Sequence, residues 1–95
     1  VIIPIKSEDL KPAESLYNKL VSEYKSTDVL LEDLQRNPGE KFKEYDFIGI
    51  PIKIIVGREY RKGKKYEVEI KLENEVKKDL LKESELFQYL SLLGV

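Results

Sequence analysis

Apolar positions along this chain follow strand-like spacing in some segments and helix-like spacing in others. Five short runs have the composition of strands. The first is apolar throughout, which is typical of a strand buried on both faces. The fourth alternates strictly between apolar and polar residues, which predicts one buried and one solvated face. The five runs are Val1–Ile5, Val29–Leu31, Ile50–Val56, Tyr66–Glu73 and Val76–Leu81.

Three segments have the period of amphipathic helices, and each carries a start signal. Pro12 fits the first position of the first helix, which extends to Tyr24. Asn37 and Pro38 predict the start of a second helix that runs to about Ile48. Ser84 is the expected cap of the last helix, whose apolar positions extend to Leu93. The stretch 57–65 is expected to be a basic connection with a turn at Gly63.

The order of these elements predicts an α/β domain with one mixed sheet. Strands joined by helices pair in parallel through right-handed crossovers, whereas strands joined by short turns pair antiparallel. We therefore expect a five-stranded sheet whose first three strands are parallel and whose last two are antiparallel. Three helices cover it. The 95 residues are enough for a single domain, residues 1–95.

Composition excludes several classes of site. The chain has no cysteine and no histidine, so thiolate chemistry and a histidine base are absent, and a self-contained active site is not expected. No stretch is apolar enough to span a membrane. Seventeen basic and eighteen acidic side chains give a net charge of −1. The chain also lacks methionine, which suggests a domain cut from a longer protein, with the cytoplasm as the default location.

Two features have the chemistry of a binding site. Glu32 and Asp33 follow the second strand, at the edge where open α/β sheets bind ligands. Lys41 lies in the first turn of the second helix, where an anion or base oxygen can bind, although plain helix capping explains the same residues. Residues 36–65 hold nine basic and four acidic side chains, a net +5. That excess suits either a local nucleic-acid footprint or an exposed segment kept soluble by charge, and the run 61–65 taken alone favours solubility.

The stretch from Pro38 to Gly57, PGEKFKEYDFIGIPIKIIVG, resembles the anticodon-binding domain of prolyl-tRNA synthetase, a class II aminoacyl-tRNA synthetase, in its bacterial type. The family pattern here is roughly PGxKFxxxxxIGIPxxIxxG. The flanks agree, since Val1–Ile5 resembles the opening strand and Val29–Asp33 the second strand with its acidic pair. The resemblance covers essentially the whole chain and implies the fold expected above.

The resemblance implies that the domain reads the two adjacent guanines of the proline anticodon. A guanine edge offers two N–H donors beside a carbonyl acceptor, which a carboxylate and a cation complement. The residues it implies are Glu32, Asp33 and Lys41, with Arg36 in the same loop and Lys71 as a secondary candidate.

The resemblance also implies a parent protein with further domains. That parent is a cytoplasmic, homodimeric proline–tRNA ligase that uses ATP and magnesium in a catalytic domain outside this fragment. The alternative is a protein-interaction or dimerisation module that keeps the anticodon-binding fold. Three departures favour the alternative: Leu34 and Asn37 stand where the family usually has arginine, and Glu73-Asn74 stands where it has a basic pair.

Overall fold

We analysed a computed structural model of the chain, which describes residues 1–24, 29–32, 52–71 and 75–92. Within these ranges the chain forms four strands and three α-helices, and a 3₁₀ turn at Ser7–Asp9 precedes the first helix. The strands are β1 (Ile2–Pro4), β2 (Ile52–Val56), β3 (Tyr66–Lys71) and β4 (Val76–Leu81), and the helices are α1 (Leu10–Glu23), α2 (Arg58–Gly63) and α3 (Glu83–Leu92).

The four strands form one mixed sheet in the order β1-β2-β3-β4. β1 pairs with β2 in parallel, and the pairs β2–β3 and β3–β4 are antiparallel, so the mixed sheet is confirmed. The prediction of five strands is wrong. The segment Val29–Leu31 contributes only an isolated parallel bridge between Leu31 and Ile2. β1 has only three residues, so its outer edge offers little backbone for another strand to pair with.

One face of the sheet packs against α1 and α3 and forms the main core. Sheet residues Ile2, Ile54 and Val68 are in register across β1, β2 and β3, and all three are buried. Leu16 of α1 and Leu86 of α3 are fully buried against this face. We call it the helix face. The alternation predicted for β3 is confirmed over its described length, with Tyr66, Val68 and Ile70 on the buried side.

The opposite face of the sheet, which we call the second face, mixes buried apolar and charged residues. Ile3, Ile55 and Lys53 are buried there, although Lys53 is a cation. Register places Lys53 opposite Glu69, and Glu69 opposite Lys78, so charges alternate across three strands. The residues of this face are Ile3, Lys53, Ile55, Glu67, Glu69, Lys71, Val76, Lys78 and Leu80.

The basic connection predicted at 57–65 is instead a short helix, α2. The Arg61 N–H donates to the Gly57 carbonyl (3.0 Å), and the Lys64 N–H donates to the Tyr60 carbonyl (2.7 Å). The expected turn residue is also wrong, because Lys64 rather than Gly63 has the left-handed conformation, with φ of 54°. Arg, Glu and Lys are good helix formers, and a tertiary ion pair of Arg61 adds to that preference.

Two predicted helix starts also differ from the structure. α1 begins at Leu10, so Pro12 is its third residue, where a missing N–H still costs no helical hydrogen bond. α3 begins at Glu83 rather than being capped by Ser84. The Lys82 N–H donates instead to the Glu85 carboxylate (2.9 Å), which is the carboxylate half of a capping box. The predicted helix at 37–48 lies outside the described residues.

Candidate functional site

Glu32 lies beside β1 at the end of the bridged segment. Its N–H donates to the Ile2 carbonyl (3.0 Å), and the Ile2 N–H donates to the Leu30 carbonyl (2.8 Å). Leu31 packs against the main core, so alternation directs Glu32 to the second face. Glu32 is only 8% exposed, and the residue is not without an interaction partner. The carboxylate is therefore a largely enclosed group rather than a freely solvated one.

Lys71 lies at the other end of the second face. It is the last residue of β3, opposite Val76 of β4, and its exposed side chain also has an interaction partner. Three strand spacings and about four residues of register separate its backbone from Glu32, roughly 15–20 Å. The structure thus places Glu32 and Lys71 on one face without bringing them together.

The other three residues that the sequence analysis predicted to bind RNA lie outside the described part of the structure. Asp33, Arg36 and Lys41 all fall between residues 33 and 51, outside the described ranges. Their roles remain predictions from sequence and resemblance.

A group of cations that sequence reasoning assigned to solubility lies near the predicted site. β2 runs parallel to β1 and ends at Val56, so α2 begins at the carboxyl edge of these strands. The bridge between Leu31 and Ile2 is parallel, so the segment 29–32 runs in the same direction as β1 and Glu32 lies toward the same edge. Residues 58–65 carry five cations and one anion, and all five cations are exposed. We call these the α2 cations: Arg58, Arg61, Lys62, Lys64 and Lys65.

A buried carboxylate fixes α2 to the rest of the domain. Asp9, at the start of α1, is fully buried, and its Oδ2 accepts from the Lys6 N–H (2.9 Å). The Arg61 Nε–H donates to Asp9 Oδ1 (3.0 Å), and its Nη1–H donates to Glu8 (3.3 Å). Gly57 lets α2 begin close to β1, because a Cβ there would lie 2.8 Å from Ile5 Cγ1. The α2 cations are therefore held at the carboxyl edge by packing and by charge.

Two side chains of β3 have perturbed acidities. Burial raises the pKa of Tyr66 above its usual range, and Tyr60, which hydrogen-bonds it, and Glu83 add to the effect. Burial also raises the pKa of Glu67, and the carboxylates of Glu59 and Glu69 raise it further, while Lys78 opposes them. The second face near β4 is thus locally crowded with negative charge.

The described residues also bear on metal binding and on membrane crossing. No group of three or more carboxylates there could hold a metal ion. None of the described helices has the length and apolar character needed to cross a membrane.

Comparison with known families and solved structures agrees with the observed fold. Residues 1–91 match the family described as the anticodon binding domain, and the chain belongs to that family. The resemblance noted in the sequence is thereby confirmed. A solved structure with a similar fold is the RNA binding domain of threonyl-tRNA synthetase from Cryptosporidium parvum, with a TM-score of 0.82 over 96% of this chain and 22% of that chain. At 16% identity, that similarity concerns the fold alone.

Curated relatives include several proline–tRNA ligases. The chain is 40% identical to the enzyme of Thermodesulfovibrio yellowstonii over 81% of its own length, and 39% identical to that of Persephonella marina over 94%. Identity to the Kosmotoga olearia enzyme is 41% over 79% of the chain. The matched region makes up 15%, 15% and 12% of those three proteins, respectively. The chain therefore corresponds to a small part of each relative.

Proposed function

We propose that this chain is the anticodon-binding module of a proline–tRNA ligase and binds the anticodon stem-loop of its tRNA. The observation that carries the proposal is the family match over residues 1–91 together with about 40% identity to proline–tRNA ligases. The module itself performs no chemistry. It supplies binding energy and sequence discrimination to a reaction carried out elsewhere in the protein.

The carboxylates and cations among residues 32–41 have the chemistry needed to recognise adjacent guanines. Asp33 accepts from the N–H donors of a guanine edge, and Lys41 donates to the guanine carbonyl. Glu32 is almost entirely enclosed, which supports a positioning role for it and direct base contact for Asp33. Arg36 and Lys71 contribute contacts at the periphery of the RNA.

The α2 cations supply the sequence-independent part of binding. They lie at the carboxyl edge toward which Glu32 also extends, and five cations against one anion give residues 58–65 a net +4. Phosphates of the loop are attracted there, which positions the bases without reading them. This local charge offsets the absence of arginine at Leu34 and Asn37.

The parent protein is proposed to carry out ATP-dependent ligation of proline to tRNA. The chain spans about 12–15% of the relatives it matches, so ATP and magnesium bind in parts of the protein beyond this module. We further propose that the parent is a cytoplasmic homodimer, as the family resemblance implies.

The proposal is tested by binding of synthetic anticodon stem-loops to the 95-residue chain. Affinity is measured by fluorescence anisotropy at low salt for the proline stem-loop and for one whose two guanines are replaced by adenines. We expect the replacement to weaken binding by about 1–3 kcal/mol per guanine, since carboxylates lose their donors. Equal affinity for both stem-loops would refute guanine recognition, and no binding at low salt would refute RNA binding.

Variants separate the two parts of the interface. Asp33→Asn and Lys41→Ala are expected to weaken binding and to reduce guanine discrimination, with a smaller effect of Glu32→Gln on discrimination. The double variant Lys62→Ala/Lys65→Ala is expected to weaken both stem-loops equally and to lower the salt dependence of binding. The matched control is Lys77→Ala/Lys78→Ala, which removes two exposed lysines of β4 away from the carboxyl edge and leaves binding unchanged.

A further inference from the structure

Strand β4 forms an edge of the sheet and is solvent-exposed. In the part of the chain that the structure describes, it pairs with β3 on one side only. Residues 76–80 are all exposed, and two apolar side chains, Val76 (51%) and Leu80 (49%), lie among them. A strand edge of this kind presents unpaired backbone groups to any chain that can pair with it.

Hydrogen-bond alternation identifies which backbone groups face outward. The Ile54 N–H donates to the Val1 carbonyl (2.8 Å), so even-numbered residues of β2 face β1 and odd-numbered residues face β3. By the register, the backbone N–H and C=O groups of even-numbered β3 residues face β4. Those of odd-numbered β4 residues face β3 in return. The N–H and C=O groups of Val76, Lys78 and Leu80 therefore face outward.

A second copy of the same strand fits this edge in one register. A two-fold axis perpendicular to the sheet keeps the two faces aligned and pairs residues of equal parity. Centred on Lys78, it sets Val76 opposite Leu80 of the second copy on the second face, and Lys77 opposite Asp79 on the helix face. Every outward backbone group of Val76, Lys78 and Leu80 then meets a partner. If the two-fold axis is centred on Asp79 instead, the two copies of Asp79 lie opposite each other. Lys77 and Lys78 then lie opposite leucines, Leu81 and Leu80.

The like charges at the dyad are offset within each copy. Lys78 lies opposite Glu69 in its own sheet, and its charge also acts on Glu67, where it opposes in part the rise in pKa that burial and the neighbouring carboxylates cause. Each Lys78 is thus flanked by two carboxylates. The attraction in the two Val76–Leu80 pairs and the two Lys77–Asp79 pairs is therefore larger than the repulsion in the single Lys78–Lys78 pair, whose charges are partly neutralised.

We propose that two copies of this chain associate through antiparallel pairing of their β4 edges, centred on Lys78. The proposal concerns a surface distinct from the α2 cations and does not depend on RNA binding. The paired segment is short, and edge pairing of this size buries less than about 1,000 Å², so the dimer is weak, with Kd on the order of 0.1 mM.

The test is sedimentation equilibrium of the 95-residue chain up to about 1 mM, a range that populates such a dimer. Asp79→Lys turns both lysine–aspartate pairs into lysine–lysine pairs, and we expect Kd to rise about tenfold. The charge swap Lys77→Asp/Asp79→Lys restores opposite charges in this register alone and is expected to return Kd to within about threefold. Circular dichroism confirms that each variant is folded.

The matched control is Glu14→Lys, which makes the same charge change at an exposed position on α1 and leaves Kd unchanged in this account. A chain that stays monomeric at the highest concentration overturns the proposal. So does a dimer that Asp79→Lys leaves intact, or one that the charge swap fails to restore, because the copies would then meet through another surface or register.

Discussion

At the scale of single residues, the Asp9 carboxylate connects the segment before α1 to α2. Its side chain is fully buried, and it accepts hydrogen bonds from the Lys6 N–H and from Arg61. A buried carboxylate is tolerated only when its hydrogen bonds and its charge are satisfied. The segment at Lys6, the start of α1 and α2 are therefore held together by the single carboxylate of Asp9.

Removing the cationic partner of Asp9 should destabilise the domain. For Arg61→Ala we expect a loss of about 2 kcal/mol in the free energy of unfolding, measured by urea titration, because a buried charge loses its ion pair but keeps the Lys6 N–H. Arg58→Ala, at an exposed position in the same helix, is the control and should change stability by less than about 0.5 kcal/mol. Equal effects of the two variants would show that the ion pair is dispensable.

Glu67 gives a prediction that depends on pH. Burial and the neighbouring Glu59 and Glu69 raise the pKa of Glu67 in the folded state, so the folded state binds this proton more tightly than the unfolded chain does. Stability therefore falls as the pH rises from the unfolded-state pKa to the folded-state pKa of Glu67, and the full penalty is present above the latter. Glu67→Gln removes that penalty, so the variant should be more stable than the parent chain at pH 7.

The pH profile distinguishes this cause from a general effect of the substitution. The advantage of Glu67→Gln should shrink as the pH falls and vanish below about 4, where both states of the parent are protonated. Glu14→Gln, at an exposed position on α1, is the control and should change stability by less than about 0.5 kcal/mol at either pH. An advantage of Glu67→Gln that is independent of pH would contradict the electrostatic explanation.

At the scale of elements, α2 depends on the close approach of Gly57 to β1. A methyl group at position 57 would lie 2.8 Å from Cγ1 of Ile5, the residue after β1, so either the Ile5 side chain or the backbone must shift to admit it. We expect Gly57→Ala to cost about 1–3 kcal/mol in thermal or urea unfolding. Gly63→Ala is the matched control, since no atom lies within 4 Å of a Cβ there, and it should be neutral or slightly stabilising. Similar losses in both variants would refute the steric argument.

The elements differ in how far the sequence could predict them. β3 was predictable because Tyr66, Val68 and Ile70 alternate with charged residues along a strand exposed on one side. α2 was not, because its stability comes from the Arg61–Asp9 ion pair across 52 residues and from the glycine contact, neither of which leaves a local periodic signal. Val29–Leu31 has strand composition, yet the short β1 provides a partner for only one bridge.

At the scale of the whole molecule, the fold class followed from the order of elements, and the family from the Pro38–Gly57 motif. The candidate site was only partly predictable. Glu32 occupies the edge that the strand order implied, but its burial depends on tertiary packing. The α2 cations looked like solubilising charge, since only the parallel pairing of β1 and β2 shows that they lie at the same edge.

The central claim is that an anticodon loop binds at the carboxyl edge of the sheet. The most direct measurement is an NMR titration of the ¹⁵N-labelled 95-residue chain with the proline anticodon stem-loop. We expect saturable amide shift changes in residues 30–41 and in the α2 segment 57–65, with much smaller changes along α1 and α3. Shift changes concentrated on the exposed surfaces of α1 and α3, with the carboxyl edge unaffected, would contradict it.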